Sequence, residues 1–153
     1  MSEIKIEHKD VIQNNVKSII NKLVDFSKRT SEFTDIITWK KSASEIIDSI
    51  EDDCIEVRKV FMDVFKEMNI LYDYSVYAEW IDNADAKHQV KVFAFENERL
   101  LRNLNAFNGT ILKKIDDTKP EQYDTDYLKK RACDWLDYLA KRLEENILNK
   151  LNR

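Results

Sequence analysis

Apolar residues along this chain recur at steps of three and four, the period at which an α-helix returns side chains to one face. In the first segment Val11, Ile12, Val16, Ile19, Ile20, Leu23, Val24 and Phe26 form such a stripe. It predicts a helix of about 20 residues that ends near Arg29. Ser27, Thr30, Ser31 and Thr34 cluster next, suiting a short connection with Ser31 or Thr34 as the N-cap of a second helix. Phe33, Ile37, Lys40, Ser44, Ile47, Ile50, Cys54, Val57, Phe61, Val64, Met68 and Leu71 then step at a near-heptad spacing of about 3.5 residues. Unbroken, that helix would be about 60 Å long. Two places offer a break: Ser42-Ala43-Ser44-Glu45, which has the form of a capping box, and the charged run Glu51-Asp52-Asp53.

A third stretch runs from about Val76 to Ile115, stitched by Trp80, Ile81, Ala84, Val90, Phe93, Ala94, Leu101, Leu104, Phe107, Ile111 and Ile115. Asn108-Gly109 is placed to end or kink it, because glycine is unfavourable in a helix interior. Asp116 to Asp124, containing Pro120, reads as a loop. Asp124 or Thr125 then caps a last helix with the stripe Leu128, Ala132, Trp135, Leu136, Leu139, Leu143, Ile147 and Leu151. Short links leave no length for a crossover, so sequence neighbours pack antiparallel. The expected fold is all-α: an elongated antiparallel bundle of about four long helices in one domain, 1–153, or five or six if the breaks near 42–53 and 108–109 are real.

Composition strengthens that reading. A single Gly and a single Pro are too few for the tight turns of a sheet protein. No apolar run reaches the roughly 18 residues of a membrane span, and Met1 to Asp10 is charged without an apolar signal core. A cytoplasmic protein without membrane partners is expected. Cys54 and Cys133 are far apart in sequence and both fall on inward positions, so both are expected as reduced core residues.

The net charge of −4 and pI near 5.3 argue against binding nucleic acid or anionic lipid by electrostatics. The distribution is uneven. Residues 43–85 carry a balance of −9, against +2 for 1–42, +3 for 86–116 and 0 for 117–153.

Candidate chemistry is sparse. There are two histidines, His8 and His88, and although Asp85 and His88 lie one turn apart, no second pair of that kind completes a metal site. One glycine cannot build a phosphate-cradling loop. Glu45 with Asp48 and Glu79 with Asp82 form two E-x-x-D pairs. Each puts two carboxylates on one helix face, where facing pairs can hold Mg²⁺ and activate water on a phosphate. All-helical nucleotide pyrophosphohydrolases use carboxylates in this general way, but their fuller motifs are absent here. With 29 acidic residues in the chain, chance spacing on a solvated surface is the simpler account. Arg99, Arg102, Lys113 and Lys114 read as a solvated face partnering acidic neighbours.

Tyr72, Tyr74, Tyr77 and Trp80 crowd the joint after the second helix. Aromatics often plug a bundle corner, yet Tyr and Trp are also enriched at binding hot spots. The leading expectation is therefore a non-enzymatic protein-binding bundle of adaptor, inhibitor or immunity type, needing no cofactor or metal. Its acidic, tyrosine-bearing face would comprise Asp48, Asp52, Glu56, Tyr72, Tyr74 and Tyr77 and engage a basic protein. The alternatives are a Mg²⁺-dependent nucleotide pyrophosphohydrolase using Glu45, Asp48, Glu79 and Asp82, and a self-assembling structural protein, a homodimer being the simplest case.

Overall fold

The protein's structure, a computed structural model, describes residues 4–71 and 86–151. Within them are four long helices and no strand: α1 Ile6–Arg29, α2 Ile36–Glu67, α3 Ala86–Phe107 and α4 Thr125–Leu143. The all-α bundle predicted from periodicity is what these residues form.

Helix α1 buries Ile12, Val16, Ile19, Leu23 and Phe26, and ends at Arg29 as its stripe predicts. Its partner α2 begins later than expected. Neither Ser31 nor Thr34 is the cap; Asp35 is, its carboxylate accepting the amides of Ile37 and Thr38 at 3.2 Å each and the Thr38 hydroxyl at 2.7 Å. Those bonds hold the Asp35 carboxyl below its ordinary range, the Thr38 hydroxyl contributing most. The delay has a cause in the preceding turn. Thr30–Glu32 forms a 3₁₀ turn, in which the buried Thr30 hydroxyl donates to Phe26 C=O at 2.9 Å and accepts the Trp39 indole N–H at 3.4 Å. The ring of Phe26 lies 6.1 Å from that of Trp39 and 6.0 Å from that of Phe33, which closes the α1–α2 corner. Lys129 of α4 donates to Phe33 C=O and locks the corner from outside.

The early part of the α2 stripe differs from the expected one. Ile36, Trp39 and Ala43 are buried, in place of Ile37, Lys40 and Ser44; from Ile47 to Val64 the two coincide, after which Phe65 is buried, Met68 half-buried and Leu71 exposed, contrary to the stripe. Burying an indole and a methyl is favoured over burying an ammonium and a hydroxyl, which moves the first turns round by one residue. Lys40 instead reaches across to Ile115 C=O at 2.9 Å and Asp117 at 2.8 Å, tying the α3–α4 loop to the start of α2. Over its 32 residues, about 48 Å, α2 is unbroken at 42–45 and at 51–53. Ala43 sits in the core, and Asp53 leans onto α1 to meet Lys22 at 2.7 Å, so neither place has to leave the helix.

At its other end α2 stops short of Leu71. Asn69 takes a left-handed conformation, φ 58°; its amide donates to Lys66 C=O at 3.1 Å and that of Ile70 to Phe65 C=O at 3.0 Å. This pair of bonds is the Schellman motif, with Asn in the place usually held by Gly.

As Asn108-Gly109 leads one to expect, α3 ends at Phe107, and the chain passes into a π turn, Asn108–Leu112, that carries both Ile111 and Leu112 into the core. The expected loop then carries the chain from Asp116 to Asp124. Within it Asp116 accepts the amide and hydroxyl of Thr118, and Tyr123 donates its hydroxyl to Lys114 C=O at 3.0 Å. Asp124 caps α4 by accepting the Tyr127 amide at 3.1 Å. A second π turn, Glu144–Leu148, and a last turn, Asn149–Leu151, complete the chain described.

Cross-links between helices run in opposite order along each pair. Lys5, just before α1, and Lys22 of α1 meet Glu67 and Asp53 of α2; Lys40 and Arg58 of α2 meet Ile115 and Glu98 beside and within α3; Glu96 and Asn103 of α3 meet Arg142 and Trp135 of α4. Neighbours are therefore antiparallel, and their buried side chains join in one cluster. Cys54 lies inside it, and burial pushes its thiol far above the ordinary range. Cys133 departs from expectation. It is half-buried, at the α1–α4 seam, its thiol directed to Ser27 C=O at 3.5 Å. Among the described residues no helix is long and apolar enough to cross a membrane.

The left-handed cap of α2 makes a direct prediction. Asn69→Gly should leave the thermal midpoint unchanged or raise it, whereas Asn69→Val should cost about 1–2 kcal/mol in chemical denaturation, because a branched side chain meets its own carbonyl at positive φ. Equal stabilities would show that the left-handed turn is not what ends the helix.

Candidate functional site

Because α2 buries one continuous stripe, its opposite side faces water, and the side chains there are set by the same period. Glu45, Asp48, Asp52 and Glu56 recur at steps of three and four on that side, and all are exposed. From Ser42 to Val57 the chain has six carboxylates and no lysine or arginine. The result is an acidic ridge along the middle of α2.

Its ion pairing is uneven. Asp53 meets Lys22, which also donates to Ser49 at 2.7 Å, and Glu67 meets Lys5 at 3.4 Å, beside His8 at 3.4 Å. Glu56 finds Lys59 at 3.2 Å within its own helix. Among the described residues Glu45, Asp48 and Asp52 have no ion pair. Glu51, half-buried beside them, has its carboxyl pushed above the ordinary range, first by burial and then by the negative charges of Asp48 and Asp52.

The structure thus brings Glu45, Asp48, Asp52 and Glu56 together on one surface. Tyr72, Tyr74, Tyr77, Trp80 and Asp85 lie outside the described residues, as do Glu79 and Asp82 of the second E-x-x-D pair. Among the described residues no group of three or more His, Cys, Asp or Glu side chains is placed to hold a metal.

The two edges of the ridge differ. On the α1 side are Asp53, Ser49 and Lys22. On the α3 side Ile55 and Met62 are 41% and 50% exposed. Met62 also walls an open hollow of about 520 Å³ at the end of α2, lined by Met62, Phe65, Lys66, Asn69, Ile70 and Leu71. Leu71, on its rim, is 87% exposed.

What holds this face in place is a polar layer that periodicity alone does not reveal. Glu96, Asn97 and Glu98 of α3 are consecutive and all buried, at 2%, 2% and 8% exposure. Glu98 receives the guanidinium of Arg58 from α2 at 2.5 and 2.6 Å, and Glu96 that of Arg142 from α4 at 2.9 Å twice. Between them Asn97 donates to Cys54 C=O at 3.0 Å. Two-pronged arginine–carboxylate pairs are strong and directional, so they fix how α3 is rotated between its neighbours. A signal exists in the sequence: the α3 stripe skips from Ala94 to Leu101, and Asn97 fills the gap. Arg99 and Arg102, expected beside carboxylates, lie over aromatic rings instead, each 5.7 Å from the ring centre of Tyr138 and Phe95 respectively. The Tyr138 hydroxyl, hydrogen-bonded by Arg99, ionises more readily than usual.

Comparisons with protein families, with curated proteins and with solved structures find no match.

Two predictions follow from this electrostatic layout. A raised carboxyl favours the fold only while it is protonated, so that contribution is complete below the ordinary Glu range and is lost as pH rises through the shifted value. Glu51→Gln should therefore raise the melting temperature at neutral pH, with the gain fading as pH falls below the ordinary Glu range; a gain that persists in acid would contradict this origin. Arg142→Met should cost about 3 kcal/mol in denaturant unfolding, since it strands a buried carboxylate, while adding Glu96→Leu should recover much of the loss. No recovery in the double variant would mean that Arg142 acts through packing alone.

Proposed function

We propose that this chain is a non-enzymatic binding protein of adaptor, inhibitor or immunity type, whose acidic α2 face engages a basic partner protein. The observation that carries the reading is the exposure of Glu45, Asp48, Asp52 and Glu56 on one ridge, in a stretch that contains no cation. A simpler account gives these carboxylates to neighbouring lysines. It holds for Glu56, which meets Lys59, and for the flanking Asp53 and Glu67, but not for Glu45, Asp48 and Asp52. Like charges held this close repel, adding to the burial that raises the Glu51 carboxyl, and a fold gains nothing from that repulsion. A partner of opposite charge relieves it and is steered in at long range. Tyr72, Tyr74 and Tyr77 follow the ridge in sequence and are proposed to supply the desolvated contacts that long-range charge does not.

The test is a triple reversal, Asp48→Lys, Asp52→Lys and Glu56→Lys, compared with the wild-type chain in affinity capture at low and high salt. The wild type should retain a basic protein that salt releases, and the reversal should slow association at least about tenfold. Capture that ignores both salt and the reversal would sink the reading.

A further inference from the structure

Two rungs cross the seam between α3 and α4. Glu96 and Arg99 lie one turn apart on α3, and Tyr138 and Arg142 one turn apart on α4. One rung is complete: Glu96 is buried and holds Arg142 at 2.9 Å twice. The other is incomplete. Arg99 donates to the Tyr138 hydroxyl at 3.2 Å and lies over the same ring, but among the described residues it pairs with no carboxylate. A guanidinium presents its N–H donors as a planar fork that suits a two-pronged oxyanion, and a neutral phenol engages only part of it. Arg142 faces the same phenolic oxygen from its own helix. Together the two cations make Tyr138 ionise more readily than usual, Arg99 contributing most.

The other tyrosines among the described residues are set differently. Tyr123 spends its hydroxyl on Lys114 C=O and the Asp116 amide, which holds the loop. Tyr127 is 60% exposed, three turns earlier on the same side of α4, and among the described residues no arginine lies against its ring. Tyr138 is 48% exposed, so its hydroxyl is both held and reachable. From this geometry we infer that Tyr138 is a phosphorylation site and that Arg99, with Arg142 beside it, receives the phosphate. The phenolic oxygen attacks the γ-phosphorus of a nucleoside triphosphate held by a tyrosine kinase. As the new O–P bond forms, the bond from the γ-phosphorus to the bridging oxygen breaks, the nucleoside diphosphate leaves, and the phenolic proton passes to a base of the kinase. The product places nearly two negative charges and three acceptor oxygens where a neutral hydroxyl stood. The incomplete rung becomes an ionic one, and the seam tightens. No residue of α2 takes part, so the inference stands apart from the acidic-face reading.

The experiment incubates the full, folded chain with a broad-specificity tyrosine kinase and magnesium ATP, and maps the modified peptides by mass spectrometry. Tyr138 should take up phosphate in preference to Tyr127, and Tyr138→Phe should lose that signal while keeping the circular dichroism spectrum. Phosphate on Tyr127 but not on Tyr138, or on neither, would overturn the inference. The phosphorylated chain is then followed by ³¹P NMR and by thermal melting. Nearby cations favour the dianion, so the phosphate on Tyr138 should titrate below free phosphotyrosine by at least about half a pH unit. The melting temperature should rise by about 2–4 °C, the effect of one added ionic contact in a chain of this size. Arg99→Gln should move the titration back towards that of free phosphotyrosine and erase the rise, while leaving the spectrum of the unmodified chain unchanged. A phosphate on Tyr138 that titrates like free phosphotyrosine and leaves the melting temperature where it was would show that the arginines do not receive it.

Discussion

A helix that must pack against one neighbour on its left and another on its right has only one direction left for its charges. That constraint governs α2. Its buried stripe, from Ile36 to Phe65, faces α1 and α3, and the continuity of the stripe over 32 residues forces the charged residues between onto a single outward line. The acidic ridge is therefore a product of packing as much as of composition. Had α2 broken at Glu51-Asp52-Asp53, its two halves could have turned independently and the ridge would have been divided. The hold of α1 on Asp53 through Lys22 and of α3 on Arg58 through Glu98 keeps both flanks of α2 in register with the ridge.

The second requirement is rotational. Apolar surfaces are forgiving about how a helix is turned, because one methyl group packs nearly as well as another. The layer at Glu96, Asn97 and Glu98 is not forgiving. It pairs a carboxylate with a guanidinium on each side of α3 and spends its central amide on a backbone carbonyl of α2. A rotation of α3 by one residue would bury these groups without partners. The same groups would weaken an interface if left unpaired, so their complete pairing gives the bundle one arrangement where leucines alone would permit several.

Much of the fold was legible in the sequence, for a plain reason. Helical period and the scarcity of glycine and proline are local properties, and local properties survive without a structure. The end of α1 at Arg29, the cap at Asp124 and the stripe from Ile47 to Val64 all belong to this class. Misreadings arose where the decision is made at a distance. Trp39 displaces Lys40 from the core only because Phe26 and Thr30 wait for its ring and its N–H. Asp35 outranks Ser31 and Thr34 as a cap because the chain first spends residues on a 3₁₀ turn. Cys133 stops at the edge of the core, where its thiol meets the Ser27 carbonyl of α1. Of the candidate site, the carboxylates were readable from spacing, since exposure on α2 is simply the complement of its stripe. Ile55 and Met62 were not, because an apolar residue left in water looks in sequence like any other core residue.

The π turns have a consequence for how this chain can change in length. In a straight α-helix an added residue swings everything beyond it round the axis by about a quarter of a revolution, which would turn a core face outward. A π turn absorbs the surplus residue as a local widening. Asn108–Leu112 and Glu144–Leu148 both lie at the downstream ends of their helices, and in both the apolar face continues inward through the turn with Ile111, Leu112 and Ile147. Each works as a slip joint, where a residue gained or lost is taken up at the end of a helix while the faces upstream, including the polar layer of α3, keep their bearing.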